Sequence, residues 1–222
     1  MTSVISRKLP KFPKLLTYII LAASLFLNVF LLNRPAADSG IKVIGVIDGD
    51  TLVLDGKVKL RLRQVDAPEL EYCGGEAAKK QLEALVSEKS VRVEEKIMDQ
   101  SGRPMALVYV GSTLINQIML ESGWARYHSD KTTRTEILKT AANQAKNDKL
   151  GLFGICVQTE NPDNPECNIK ANIDKSTKTR LYYLPGCVQY KTTLVEKDLG
   201  EDWFCSEKEA REAGFSKAKT CR

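Results

Sequence analysis

Hydrophobic positions change their spacing several times along the chain. From Lys14 to Leu32 the run KLLTYIILAASLFLNVFLL is almost wholly apolar, carries no charge after Lys14, and is diluted chiefly by Thr17, Ser24 and Asn28. A helix of that length just crosses a bilayer. From Ile41 to Asp55, and again from Lys57 to Val65, the pattern becomes short β-type runs. Pro68 in VDAPE breaks the second run, because proline offers no backbone donor and restricts Ala67 before it. GEAAKKQLEAL then spaces Ala77, Leu82 and Leu85 roughly as a helix does, and VRVEEKIM and PMALVYV are two further β-like runs joined by DQSGR. LINQIMLESG predicts a short helix stopped by Gly123, and TEILKTAANQAKNDKLG a longer one ending at Gly151. Five short strands with inserted and appended helices predict a mainly β, α+β fold. We expect a five-stranded barrel with about three helices over residues 40–158.

Beyond the barrel, residues 159–166 are polar and proline-bearing and predict a linker. Residues 167–222 then form a small module with four cysteines to staple a core too small to hold by itself. With 222 residues and 43% hydrophobic composition, one full-sized core and one small module are what the chain can bury. Residues 1–33 complete the expected organisation as a cytoplasmic N-terminus and transmembrane signal-anchor through residues 15–32. Arg7, Lys8, Lys11 and Lys14 precede the apolar run, so the positive-inside rule places the barrel domain outside the cytoplasm, single-pass at the cell membrane. Cleavage near Ala36–Asp38 would instead give a secreted protein.

All six cysteines, Cys73, Cys156, Cys167, Cys187, Cys205 and Cys221, lie beyond the apolar run, and an even count in an exported chain predicts disulfides. Cys73 and Cys156 are expected to pair, tying the loop after VDAPE to the end of the barrel domain. The net charge of +5 favours an anionic partner without naming one. One histidine, His128, excludes chemistry that needs a histidine pair or a histidine-rich metal cluster, and we read it as a polar loop residue. The barrel region offers carboxylates and arginines near turns instead. Asp48 and Asp50, two apart, share a face of an extended chain. Arg61 and Asp66 have opposite parity, so the VDAPE kink must redirect the second for them to meet. Arg63 shares Arg61's parity and is expected at the surface, steering phosphate. Trp124 and Tyr109 are expected as core or groove wall.

The ordered pieces IDGDT (Ile47–Thr51), RLRQVDAPE (Arg61–Glu69), DQSGR (Asp99–Arg103) and INQIMLESGWA (Ile115–Ala125), ending in KLGLF, resemble the staphylococcal nuclease (thermonuclease) family over residues 41–156. The resemblance implies an OB-fold barrel and Ca²⁺-dependent cleavage of DNA and RNA. By position it implies Asp50 and Asp66 as calcium ligands, with the backbone carbonyl of Ala67 as a third and Asp48 nearby through water. It implies Glu69 as general base and Arg61 and Arg103 as the phosphate clamp. Tyr127 is the candidate for stacking on the substrate nucleotide. A non-catalytic OB-fold that binds single strands at the cell surface is the alternative, since such folds bind through basic grooves and aromatics without a metal.

Where the family's best-known member has a lysine-rich loop, this chain has LEYCGGEAAK, and Gln100 and Ser101 replace nucleotide-contacting Lys and Tyr. The C-terminal module resembles one that follows exported bacterial nucleases, and WFCSEKEAREAGF also resembles the zinc module of a methylphosphotriester-repair protein. Ala218 stands where a zinc ligand would be expected, so disulfides are the first reading and zinc the second. Lys175, Lys178 and Arg180 are available there for an anion.

Overall fold

In the computed structural model the described residues are 14–32 and 40–221, which belong to two units, Met1–Asp38 and Ser39–Arg222. In the first unit, helix α1 covers Lys14–Leu32, 19 residues. Tyr18, Ile19, Leu21, Leu25 and Phe26 are exposed on it. Among the described residues no helix is long and apolar enough to cross a membrane, so a transmembrane span is not supported. The flanks 1–13 and 33–39, on which the expected charge asymmetry and cleavage site fall, lie outside the described residues.

The second unit starts with β1 (Ile41–Val46), β2 (Thr51–Leu54) and β3 (Val58–Leu62), an antiparallel meander in which Val46 faces Leu52 and Thr51 faces Arg61. A two-residue strand β4 (Val65–Asp66) and helix α2 (Gly75–Val86) follow, then β5 (Ser90–Met98) and β6 (Pro104–Val110). β5 pairs antiparallel with both β1 and β6, and β6 returns to pair parallel with β3, Arg61 opposite Met105. That last pairing closes five strands into a barrel. A sixth short strand, β7 (Thr113–Leu114), extends β6. Leu52, Leu60, Leu62, Leu107 and Val108 of these strands are all fully buried.

Helices α3 (Ile115–Glu121) and α4 (Thr135–Asn147) pack on one another, with β8 (Arg126–Tyr127) between them in the chain. α4 buries Leu138, Ala141, Ala142 and Ala145, the i, i+3, i+4, i+7 stripe of a helix with one apolar face. Asn116 of α3 is fully buried and sutures the barrel: its side chain accepts from Val108 N and donates to the carbonyls of Arg63 and Ala106. Four α-helices lie in the barrel domain against about three expected, the extra one being a one-turn α5 (Leu152–Ile155). It is too short to leave a periodic signal.

Residues 159–166 do connect β9 (Val157–Gln158) to a second sheet. That sheet contains β10 (Ile169–Ile173) and β11 (Arg180–Tyr183), followed in the chain by β12 (Val195–Glu196), β13 (Trp203–Phe204), helix α6 (Glu207–Glu212) and β14 (Ser216–Lys217), in the order β13-β10-β11-β14. Its core is small: Ile169, Ala171, Tyr182, Ala210 and Phe215. Disulfides Cys167–Cys205 and Cys187–Cys221 staple it, and Cys73–Cys156 ties the loop after VDAPE to the end of the barrel domain as expected. The four tail thiols that zinc would require are thereby all consumed.

The tail folds back onto the barrel domain. β12 pairs antiparallel with β9, Lys197 N donates to the Cys156 carbonyl at 2.9 Å, and Trp203 Nε1 donates to Gln158 Oε1 at 2.7 Å. Arg126 of β8 reaches Asp198 and Glu196 of the tail.

Candidate active site

The loop between β1 and β2 carries Asp48-Gly49-Asp50, and Gly49 is required there for space. A Cβ on it would lie 2.5 Å from the Ala78 Cβ on α2 and 2.6 Å from the Ala67 Cβ in VDAPE. The loop is thus pressed between the helix and the segment bearing the second carboxylate. Asp50 is only 2% exposed. Its Oδ1 accepts from Thr51 Oγ1 at 2.8 Å, and its Oδ2 accepts from Ala67 N at 3.0 Å. Asp48, half-buried, accepts from Asp50 N at 3.0 Å.

Arg61 projects from β3 between the carboxylates, its Nη2 lying 2.8 Å from Asp50 Oδ2 and 2.6 Å from Asp66 Oδ1. The structure therefore brings Asp48, Asp50, Asp66, Ala67 and Arg61 together. The redirection of Asp66, however, starts at Gln64, four residues before Pro68. Gln64 has φ 63°, a left-handed conformation uncommon for a residue with a side chain. A buried polar network holds it: Nε2 donates to Tyr127 Oη at 3.0 Å and Thr135 Oγ1 at 3.1 Å, and Oε1 accepts from Thr132 Oγ1 at 2.7 Å. Surroundings that over-determine a strained residue in this way are what allow it to persist.

Tyr127 belongs to that network, its hydroxyl held by Gln64 and its backbone paired with Val65. Arg63 departs from its expected surface role: it is buried, ion-paired with Asp130, and donates to the carbonyls of Glu95 at 2.9 Å and Lys131 at 2.7 Å. Strand parity places Arg63 on the same face as Arg61, but the turn begins at Arg63 and sends its side chain to the 130s loop. Tyr109 is buried at 5% exposure, with Arg92 over its ring, which makes it barrel wall.

Arg103 sits at the end of the DQSGR turn. Its Nε donates to Asp99 at 2.7 Å, and Asp99 also accepts from the backbone N–H groups of Ser101 and Arg103. Those bonds hold the Asp99 carboxyl below the usual range, Arg103's own backbone N–H most of all. Asp99 raises the Arg103 guanidinium above its ordinary value, with Asp50 and Asp48 adding to it at longer range. Arg61, Asp66 and Arg103 line one open cavity of about 720 Å³, together with His128. His128 is thus at the cavity wall.

Glu69 is exposed, two residues beyond Ala67. Its carbonyl accepts from Tyr72 N at 3.0 Å, and a Cβ on Gly75 would come within 2.1 Å of that same carbonyl oxygen. Cys73 is locked to Cys156 just before that glycine. The loop bearing Glu69 is consequently fixed by a close backbone approach and a covalent clasp.

Burial raises the Asp50 carboxyl to about 7; Arg61 lowers it, the Ala67 N–H lowers it, and Asp48 raises it again. Among the described residues no three or more His, Cys, Asp or Glu side chains form a ready metal cluster. The donors around Arg61 are nevertheless all oxygen, the chemistry that suits a hard cation. Arg61 contacts two carboxylates, Asp50 and Asp66, and Asp48 lies beside them, so the cluster holds more acid than one guanidinium neutralises once Asp50 is ionised. Such an excess of carboxylate oxygen suits a cation.

A family model described as Staphylococcal nuclease homologue matches residues 59–154, which include Arg61, Asp66, Glu69 and Arg103. Over 152 residues the chain is 32% identical to Protein ParB of Escherichia coli, covering 62% of this chain and 85% of that protein. The chain belongs to the staphylococcal nuclease homologue family. Within the family, it is 33% identical over 140 residues to Micrococcal nuclease of Shigella flexneri, 56% of this chain and 80% of that protein. It is 36% identical over 111 residues to an uncharacterized endonuclease of Haemophilus influenzae, 48% and 62% of the two chains. Membership implies hydrolysis of nucleic acid. The family model ends before the second sheet begins, so that sheet is an addition to the matched domain.

Proposed function

We propose that the protein is a Ca²⁺-dependent nuclease of relaxed specificity that hydrolyses phosphodiesters of DNA and RNA outside the cytoplasm. The observation that carries this reading is the cluster of Asp50 and Asp66 around Arg61, with Arg61, Asp66 and Arg103 opening onto one cavity. Asp50 and Asp66, with the Ala67 carbonyl, would hold the ion, and Asp48 would act on it through water. Bound there, Ca²⁺ supplies charge stabilisation to a phosphate oxygen.

The chain's own residues do the rest. Arg61 and Arg103 present guanidinium forks to the non-bridging oxygens of the phosphate, a geometry that lysine lacks. Glu69 takes a proton from water onto its carboxylate as the water oxygen bonds to phosphorus and the bond to the leaving oxygen breaks. While phosphorus is five-coordinate the arginines face the charge that develops on its non-bridging oxygens, where fixed donors act most strongly, and the departing oxygen takes a proton from solvent.

Location outside the cytoplasm is supported by three disulfides, since such bonds persist in oxidising compartments. Retention at the membrane through residues 15–32 rests on the sequence alone, and fractionation of cells producing the full chain tests it.

The experiment that tests the function is cleavage of single- and double-stranded DNA and RNA in Ca²⁺, in chelator, and by Glu69→Gln. Cleavage is expected only by the unmodified chain in Ca²⁺. Undiminished cutting in chelator and by the variant would overturn the mechanism. Tight binding of strands without any cutting would make the protein the binding OB-fold.

A further inference from the structure

We infer that the turn between β10 and β11 supplies a substrate-binding residue, Lys178, which contacts the polynucleotide backbone away from the phosphate being cleaved. This rests on the nuclease reading above. Lys178 lines the same cavity as Arg61, Asp66 and Arg103, although it is more than seventy positions beyond Arg103 and belongs to the second sheet. It is exposed and, among the described residues, makes no ion pair.

The three tail cations separate clearly. Lys175 is bound to Glu196 at 2.7 Å. Arg180 lies over the Phe215 ring at 4.2 Å and donates to the Ala213 carbonyl at 3.2 Å. Lys178 alone of the three faces the cavity.

Its presentation is built. Asp174 Oδ1 accepts from the N–H groups of Ser176 (3.0 Å) and Thr177 (2.7 Å) and from both their hydroxyls. Lys178 N donates to the Asp174 carbonyl at 2.8 Å, and Lys178 itself takes φ 58°. The turn is secured to the barrel through Lys175–Glu196–Arg126, and the Arg126 backbone pairs with Asp66. A cation held on a rigid turn loses little freedom on binding, which favours its use in recognition. A long anionic strand leaving the Arg61–Arg103 clamp along the cavity meets this ammonium, whereas a dinucleotide ends sooner.

The test compares Lys178→Glu, Lys178→Ala and the charge-matched control Lys139→Glu on exposed α4, in the full chain. The readouts are cleavage of a twelve-nucleotide strand and a dinucleotide, and anisotropy of the twelve-mer in chelator. Lys178→Glu is expected to raise KM for the twelve-mer severalfold with kcat unchanged, and to leave the dinucleotide unaffected. Lys178→Ala should lower the salt slope of twelve-mer binding by about 0.7, the share of one phosphate contact on a single strand. Twelve-mer KM and salt slope equal to those of Lys139→Glu would overturn the inference. An unmodified chain that cuts nothing would overturn the nuclease reading, while anisotropy in chelator would still decide whether Lys178 binds the strand.

Discussion

Two acidic clusters, each built around an arginine, meet where the backbone of Asp66 pairs with that of Arg126, and they behave differently. At the junction between barrel and tail, Arg126 and Lys175 face Asp198 and Glu196, two charges against two. Lys175 and Arg126 hold the Glu196 carboxyl below its ordinary range although burial opposes them. At the candidate site one guanidinium contacts two carboxylates with a third beside them, and burial drives Asp50 up to about 7. A balanced cluster holds a structure together. An unbalanced one, kept in place by the barrel's core, creates a demand for a cation from outside.

Removing the junction's central cation should have the largest effect. Arg126→Ala leaves Asp198, with a side chain 1% exposed, buried without its partner, and should cost about 3–5 kcal/mol in denaturant unfolding. A stability equal to that of the unmodified chain would remove the contrast between the clusters. Next comes Arg61→Ala, which should lower kcat on the order of 10²- to 10³-fold, the effect of losing one transition-state contact. Its neighbour Arg63→Ala should act on stability, by about 1.5–3 kcal/mol, because the lost hydrogen bonds are to a charged group. If Arg63→Ala lost kcat as severely while its melting temperature stayed constant, its structural assignment would fail.

The unbalanced cluster also predicts a pH dependence with a definite sign. Asp50 binds its proton more tightly folded, near 7, than unfolded, near 3.8. The folded state therefore holds the extra proton between those values, and in chelator stability should fall as pH rises through that window, by at most about 1.4 kcal/mol per unit. Asp50→Asn should flatten the slope. Calcium should oppose it: the gain in melting temperature from 10 mM Ca²⁺ is expected to be larger at pH 8 than at pH 5, since protons compete for the same oxygens. For an ordinary extracellular affinity the gain is about 1.4–2.7 kcal/mol. Equal gains at both pH values would mean the ion binds elsewhere. Smallest of all is Lys175→Ala, whose side chain is 65% exposed; within about 1 kcal/mol is the usual range for such a pair.

The barrel was legible because its strands and helices carry their own periods; strand parity does not reach Asp48 and Asp50, which lie in the loop between β1 and β2. Three other features were not legible. Gln64 adopts a conformation that sequence rules associate with glycine or asparagine, so the turn was credited to Pro68, and Arg63 was placed at the surface. Position suggests Tyr127 as a stacking candidate, but nothing in its neighbourhood in the chain points to the bond its hydroxyl accepts from a glutamine 63 positions away. Lys178 could be named as an available cation, yet only the return of β12 to β9 brings its turn to the cavity. Local pattern reveals elements. Which side chains meet depends on chain reversals whose cause is itself tertiary.

The three disulfides also determine what one proteolytic cut can do. Cys73–Cys156 spans every peptide bond of the barrel from the loop after Glu69 to the end of α5. The loops closed by Cys167–Cys205 and Cys187–Cys221 overlap, so together they span the whole second sheet. A single nick in either region leaves both fragments covalently joined. Between residues 73 and 221 only the stretch from Cys156 to Cys167 is not bridged, and it includes the polar, proline-bearing QTENPDNPE. A protease meeting this protein therefore has one short window in which one cut severs the covalent link between barrel and tail, leaving the pairing of β9 with β12 and the Arg126 contacts to hold them together.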